Sequence, residues 1–174
     1  MRIPDIIEAM LSKQTLPGGR HLYAVLGAYP DLDLFAKKLQ QAKTADGKPF
    51  TAPLNVNRGI LDAIPDDEFR QLIENEAKRP EPTAAHVAKA FEAFLRSQLE
   101  KKKLVVLAHL EMLFAYNLEL NLLRTLAADE HRILLLLPGK RTGGRIAMFP
   151  AHEETNYMLP TNLVADNHMW EITE

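Results

Sequence analysis

The apolar positions along the chain change spacing several times, and each change predicts a different element. In residues 3–11 they recur every three or four positions, which predicts a leading helix that ends before a Pro-Gly-Gly break at 17–19. Residues 21–26 form a compact apolar run ended by Gly27, which predicts a strand. A helix should follow this strand, with Asp31 as its N-terminal cap.

The middle of the chain predicts two further helices separated by prolines. A short strand is expected at 53–57, and a helix should begin at Pro65 with acidic residues in its first turn. The prolines in residues 80–82 end that helix, and Thr83 should cap a longer one. We interpret the lysines at 101–103 as the end of the longer helix, where cations interact favourably with the helix dipole.

Two runs of aliphatic residues in the second half predict buried strands. They occupy residues 104–108 and 133–137, with a leucine-rich helical stretch between them. A turn at 139–144 joins the second run to another strand at 145–149. Shorter extended pieces are expected before the end of the chain.

Strands that alternate with helices imply right-handed crossovers and helices on both faces of a mostly parallel sheet. The predicted fold is therefore an α/β three-layer sandwich. Its C-terminal edge should be antiparallel, because the last strands are joined too tightly for helical crossovers. We expect one domain over residues 1–174, with a leading helix at 1–16, a sheet core at 20–150 and a C-terminal extension at 151–174.

Composition and charge exclude several classes of function. The chain has 21 basic and 23 acidic residues and a net charge of −2, so no global field favours nucleic acid or anionic lipid. It has no cysteine, which excludes disulfides, thiolate metal sites and cysteine nucleophiles. No apolar run approaches the ~20 residues of a membrane span, and the N-terminus lacks a signal-peptide core. We therefore expect a cytoplasmic protein without membrane contact.

The loop after the first strand is the expected place for a phosphate-binding motif, and it lacks that motif's chemistry. Residues 27–33 contain no second glycine, no lysine and no Ser or Thr. Pro30 has no backbone N–H to donate, and the carboxylates of Asp31 and Asp33 repel phosphate. The architecture is therefore predicted to be P-loop-like but degenerate, with no cofactor.

A divergent nucleotide site is the alternative. Residues 104–107 resemble the strand that ends in a Mg²⁺-holding acid in P-loop ATPases, but here Ala108 and His109 follow it. Glu111 is the nearest carboxylate, and with Asp31 it makes up the alternative nucleotide site. Nucleotide hydrolysis is the lesser hypothesis, because the groups that it requires are missing.

No local motif assigns a catalytic, cofactor or metal residue. The six histidines include no H-E-x-x-H motif and no pair at helical ligand spacing. His152, Glu153 and Glu154 lie in a polar, proline-flanked stretch, which predicts a solvated loop. The nucleophile elbow G-x-S-x-G is also missing, so a hydrolase triad has no anchor.

The remaining candidate is a basic turn near the C-terminal strands. Its cations, with backbone N–H groups from two glycines, are suited to binding a phosphate or an acidic partner surface. The plainer alternative is a solvated turn whose charges keep the sheet edge from self-association. The candidate residues are Arg132, Lys140, Arg141, Gly143, Gly144 and Arg145.

Several of these segments resemble a known family. Residues 22–33, a tyrosine-containing strand followed by Tyr-Pro-Asp and a helix, resemble the opening of the BrxB family of the BREX (bacteriophage exclusion) systems. Residues 133–149 are similar to that family's aliphatic strand, Pro-Gly-basic turn and closing strand, and 156–157 are similar to a pair found there. Residues 54–57 and 104–114 resemble the related BrxF P-loop-type proteins, without their nucleotide residues.

The resemblance implies an accessory subunit of a bacterial phage-defence and DNA-modification system, without catalysis of its own. Its expected partner is a PglZ-type alkaline-phosphatase-fold protein or another component, such as a BrxC-type ATPase or a PglX-type methyltransferase. The leading hypothesis is a non-catalytic scaffold that binds such a protein through residues 140–145 or the strand edge beside them. Direct DNA binding by the same turn is a further alternative; otherwise DNA is reached only indirectly.

Overall fold

A mostly parallel sheet lies at the centre of the protein, whose structure is a computed structural model that describes residues 1–76, 78, 80–150 and 156–173. The strands are β1 (Leu22–Gly27), β2 (Leu54–Asn55), β3 (Leu104–Ala108), β4 (Arg132–Thr142), β5 (Arg145–Met148) and β6 (Met169–Glu171). The helices are α1 (Ile3–Gln14), α2 (Tyr29–Gln41), α3 (Val56–Ala63), α4 (Asp66–Asn75), α5 (Pro80–Lys101), α6 (Glu111–Ala115) and α7 (Asn121–Leu126). The predicted α/β class is confirmed.

The described strands form a six-stranded sheet in the order β2-β3-β4-β1-β6, with β5 paired to β4 off this path. All neighbours along the path run parallel. β1 and β4 share the longest parallel register, from Leu22 beside Ile133 to Gly27 beside Pro138. These two strands form the centre of the sheet, as expected for runs that are apolar on both faces.

Successive residues of a strand point to opposite faces of the sheet, and helices bury both faces here. One face carries Tyr23 and Val25 and packs against α1 and α2, where Ile6 and Phe35 are fully buried. The other face carries Leu135 and packs against α3, α5, α6 and α7. Each fully buried side chain of this size contributes ~1.5–3 kcal/mol to folding. The three-layer sandwich is therefore confirmed.

β4 continues past the end of β1, and residues 139–142 pair antiparallel with β5. Gly143 and Gly144 connect the two strands, with φ values of 55° and 77°. A two-residue hairpin turn of this kind needs positive φ at both positions, which glycine adopts without the steric cost of a Cβ. The glycine pair therefore fixes the point where the chain reverses.

The predicted antiparallel edge is present at β5, while the last strand has the opposite orientation to the one expected. β6 runs parallel to β1, with Trp170 beside Val25. The connection from β5 to β6, residues 149–168, is long enough for the chain to return to the starting end of the sheet. The antiparallel orientation was expected because a short connection to the last strand was assumed, and the connection is long.

Two predicted helix caps lie inside helices instead. α2 begins at Tyr29 with Pro30 in its first turn, so Asp31 does not cap it. α5 begins at Pro80, so Thr83 lies within the helix and is buried. Proline is tolerated in the first turn of a helix because the N–H that it lacks would have no partner there. In both cases the helix begins before the expected cap, with a proline in its first turn.

The strand expected at 53–57 is shorter than predicted, and it is followed directly by a helix, α3, that the apolar pattern did not predict. β2 has two residues, and its last residue, Asn55, accepts a hydrogen bond from the Arg58 backbone N–H at 3.0 Å. This is the standard N-cap interaction, and it starts α3.

α5 is the longest helix of the described chain and ends at Lys101, in agreement with the prediction from the lysine run. Lys103 lies beyond the helix and pairs with Glu130 at 3.0 Å. Neither α5 nor any other helix in the described ranges is long and apolar enough to cross a membrane.

Candidate functional site

A small cavity lies at the carboxyl ends of the central strands, where α/β sheets usually bind ligands. Its volume is about 180 Å³, and its walls include Tyr29, Asp33, Asn55 and His109. Pockets that hold small-molecule ligands usually measure ~300–1,000 Å³. Binding of a nucleotide here would therefore require this cavity to widen.

Glu111, the first residue of α6, is held by two hydrogen-bond donors beside this cavity. The Tyr29 hydroxyl donates to Glu111 Oε1 at 2.5 Å, and the Asn57 side-chain amide donates to Oε2 at 2.8 Å. Asn57 Oδ1 accepts from the Met112 backbone N–H at 3.0 Å, and the Asn57 N–H donates to the His109 carbonyl at 3.0 Å. One carboxylate therefore joins α2, α3 and the start of α6.

Burial raises the pKa of Tyr29 above its ordinary value, and the hydrogen bond to the Glu111 carboxylate raises it further. Tyr29 is therefore a neutral hydrogen-bond donor at physiological pH. The His109 ring lies 6.4 Å from the Tyr29 ring, and its Nδ1 is 3.9 Å from Glu111 Oε1. His109 also has a φ of 55°, a strained backbone conformation for a residue other than glycine. Each Glu111 oxygen already accepts one hydrogen bond from within the protein.

The two residues of the alternative nucleotide site do not form a shared site. Glu111 belongs to the hydrogen-bond network, whereas Asp31 is exposed in the first turn of α2. Neither residue lines the cavity. Pro30 also has no N–H at this helix start, so carboxylates are present where a phosphate requires donors.

A larger groove lies where the β4–β5 hairpin meets the start of β1, α7 and the segment before β6. Its volume is about 780 Å³, which is within the ~300–1,000 Å³ range of ligand sites. Arg141, Gly144 and Arg145 of the predicted turn line this groove. Arg20 and Arg124, which were not predicted, line it as well. We call it the arginine groove, defined by Arg20, Arg124, Arg141 and Arg145.

The arginine groove carries an excess of positive charge. Asp166 is the single carboxylate among its described lining residues; it lies 3.7 Å from Arg141, and 97% of its side chain is exposed. Exposed ion pairs of this kind contribute ~0–1 kcal/mol. Within the described residues, Arg20, Arg124 and Arg145 form no ion pair. The groove is therefore suited to an anionic ligand.

Arg132 does not belong to this groove. It begins β4, and its guanidinium group donates to the backbone carbonyls of Gln14 at 3.0 Å and Glu130 at 3.2 Å. The contact with Gln14 holds the side chain against the end of α1. The structure therefore separates Arg132 from the rest of the predicted basic turn.

Lys140 and Gly143 belong to the hairpin but do not line the groove. No local pattern links Arg20 and Arg124 to the turn, because tertiary packing brings them together. The same holds for Tyr29 and Asn57, which meet at Glu111 from separate helices.

Metal binding has no local basis in the described part of the chain, where no group of three His, Asp or Glu side chains is suitably placed to hold an ion. The stretch from His152 to Glu154, expected to be a solvated loop, lies outside the described residues.

The fold defines the class of this protein as a three-layer α/β sandwich. No family model, no curated protein and no solved structure matches the chain.

Proposed function

We propose that the protein is a non-catalytic accessory subunit whose arginine groove docks an acidic region of another protein. The observation that carries this proposal is a groove of about 780 Å³ whose described lining residues include four arginines and a single carboxylate. The resemblance to the BrxB family supports a partner from a BREX-type phage-defence system, with a PglZ-type protein as the first candidate.

DNA binding through the same hairpin is the main alternative, and the lining of the groove favours a protein. Single-stranded nucleic acid stacks its bases on aromatic side chains. None of the described lining residues is Phe, Tyr or Trp, while apolar side chains such as Met158 and Leu159 are present. The net charge of −2 also gives no general attraction for a polyanion.

A divergent nucleotide-binding function has less support. The cavity at the carboxyl edge is about 180 Å³, and both Glu111 oxygens accept hydrogen bonds from within the protein. These features favour a structural role for the Glu111 network.

The proposal is tested by capture of partners with the tagged full chain expressed in its native host. We expect recovery of a component of the defence system by the wild-type chain and its loss on Arg141→Glu with Arg145→Glu. A matched control reverses two exposed arginines outside the groove, Arg58 and Arg70, and should retain the partner. Recovery of no defence component by the wild-type chain, or equal recovery by the groove variant, contradicts the proposal.

A further inference from the structure

Among the described residues that line the groove, the permanently charged basic side chains are arginines, and none is a lysine. A guanidinium group presents N–H donors in a planar fork that matches a carboxylate with two parallel hydrogen bonds, whereas an ammonium group acts as a point charge. Lys140 is next to Arg141 in sequence and does not line the groove. The groove therefore offers directional donors suited to planar anions.

Apolar side chains lie among these guanidinium groups. Leu22, Leu159, Leu163 and Val164 are buried members of the core that also line the groove. Met158 is 44% exposed, and its flexible thioether can adapt to a neighbouring apolar side chain. A ligand made only of charged groups would leave the exposed part of Met158 without an apolar partner.

The arginines form two pairs that come from separate parts of the chain. Arg141 and Arg145 belong to the hairpin, whereas Arg20 precedes β1 and Arg124 lies in the last turn of α7. A single small anion fills only a fraction of a groove of about 780 Å³ and contacts only part of this set of arginines. An extended segment with several carboxylates can reach both pairs.

We propose that the ligand of the arginine groove is an extended acidic peptide segment, with apolar side chains between its carboxylates. Its carboxylates pair with the hairpin arginines and with Arg20 and Arg124, and its apolar side chains cover Met158. This inference rests on the proposed function and specifies the chemistry of the partner.

The test uses fluorescence anisotropy with the full chain and a labelled peptide of sequence Glu-Leu-Glu-Asp-Leu-Glu. Two matched peptides separate the contributions: Gln-Leu-Gln-Asn-Leu-Gln lacks the charge, and Glu-Gly-Glu-Asp-Gly-Glu lacks the apolar side chains. We expect binding of the first peptide, no measurable binding of the neutral one, and at least severalfold weaker binding of the glycine version. Inorganic phosphate and a single-stranded DNA hexamer serve as competitors, and both should displace the peptide poorly.

Two pairs of substitutions test the two pairs of arginines. Arg141→Glu with Arg145→Glu, and separately Arg20→Glu with Arg124→Glu, should each weaken peptide binding at least about tenfold. Arg58→Glu with Arg70→Glu should change it by less than about twofold. Arg141→Lys with Arg145→Lys keeps the charge and guards against misfolding of the reversal variants. It should still weaken binding severalfold, because lysine cannot form the paired hydrogen bonds.

Equal binding of the neutral peptide, tighter binding of DNA or phosphate than of the acidic peptide, or normal binding after Arg20 and Arg124 are reversed would each overturn the inference. The proposed function and the proposed peptide chemistry can fail independently of each other. If a defence-system protein is captured through Arg141 and Arg145 but the acidic peptide does not bind, the accessory function stands and the peptide chemistry is wrong. If the peptide binds and no defence protein is captured, the proposed partner class is wrong and the chemistry of the groove stands.

Discussion

Two tyrosines in this protein donate to a glutamate at the same distance but in different surroundings. Tyr29 donates to Glu111 at 2.5 Å in a part-buried position, and Tyr116 donates to Glu76 at 2.5 Å on the surface. The hydrogen bond to Glu76 is the main cause that raises the pKa of Tyr116 to about 12. Burial is the main cause of the raised pKa at Tyr29. Both causes act on both tyrosines, and only their order differs.

We expect Tyr29→Phe to lower the free energy of unfolding by about 1.5–3 kcal/mol, because it removes a part-buried donor to a carboxylate. Tyr116→Phe removes the same group at an exposed position and should cost less than about 1 kcal/mol. Urea denaturation of the two variants at neutral pH measures the difference. Equal costs would show that the Glu111 network does not hold the helices together.

The buried histidine at the start of the sheet makes stability depend on pH. His21 Nδ1 lies 2.9 Å from the Tyr23 hydroxyl, and burial, followed by the nearby Arg132 charge, lowers the pKa of His21. Burial also lowers the pKa of His168, whose ring is 4.8 Å from that of Tyr23. The unfolded chain therefore binds more protons than the folded one just below the ordinary histidine pKa of about 6.5.

We accordingly expect the free energy of unfolding to be constant above about pH 7 and to fall as the pH drops below about 6.5. Urea denaturation at a series of pH values measures this slope. His21→Gln should reduce this slope. A slope of the opposite sign, or one insensitive to His21, would contradict the assignment.

At the scale of elements, the contact between α3 and α5 depends on a glycine. A Cβ added to Gly59 would lie 2.4 Å from the Phe94 ring, closer than real Cβ contacts come. In an unhindered helix Gly→Ala stabilises by ~1 kcal/mol, but overpacking a helix interface costs ~1–3 kcal/mol.

Because the steric cost is the larger of the two, Gly59→Ala should lower the melting temperature. Phe94→Leu in the same chain should recover part of the loss, since the smaller side chain leaves room for the added methyl group. A stabilised Gly59→Ala chain would show that the two helices are free to separate.

The elements also show what the sequence can predict. The centre of the sheet follows from residues 22–26 and 133–137, because apolar runs of this length that end at glycine or proline are typical of strands buried on both faces. α3 was missed because its signal is the cap formed by Asn55, and the neighbouring apolar residues also fit a strand. The orientation of β6 was missed because pairing across the sheet leaves no local pattern.

On the scale of the whole molecule, function depends on which distant residues the fold brings together. Arg141 and Arg145 were predicted as a basic turn, since they lie close in sequence around two glycines. Arg20 and Arg124 were not, since only the completed fold places them at the same groove. Arg132 seemed to belong to the turn because it begins the same strand, but the length of β4 separates its ends.

The small cavity at the carboxyl ends of the strands allows a direct test of the nucleotide-binding alternative. A ligand at a hundred times its Kd stabilises a protein by ~2.7 kcal/mol, which for a chain of this size raises the melting temperature by roughly 5–10 °C. We expect no change with millimolar Mg-ATP, because the cavity at the carboxyl ends of the strands is small and the Glu111 carboxylate beside it already accepts two hydrogen bonds. A clear rise that Glu111→Gln abolishes would favour the nucleotide-binding alternative.

β4 has two environments along its length: residues 133–138 are buried in the sheet, and residues 140–142 are exposed in the hairpin. Amide hydrogens in the first part should exchange with deuterium only on global unfolding, whereas those in the hairpin should exchange through local opening. An occupant of the arginine groove should therefore slow exchange in the hairpin. Hydrogen–deuterium exchange mass spectrometry of β4 therefore reports binding through residues 140–142 and has an internal reference in residues 133–138.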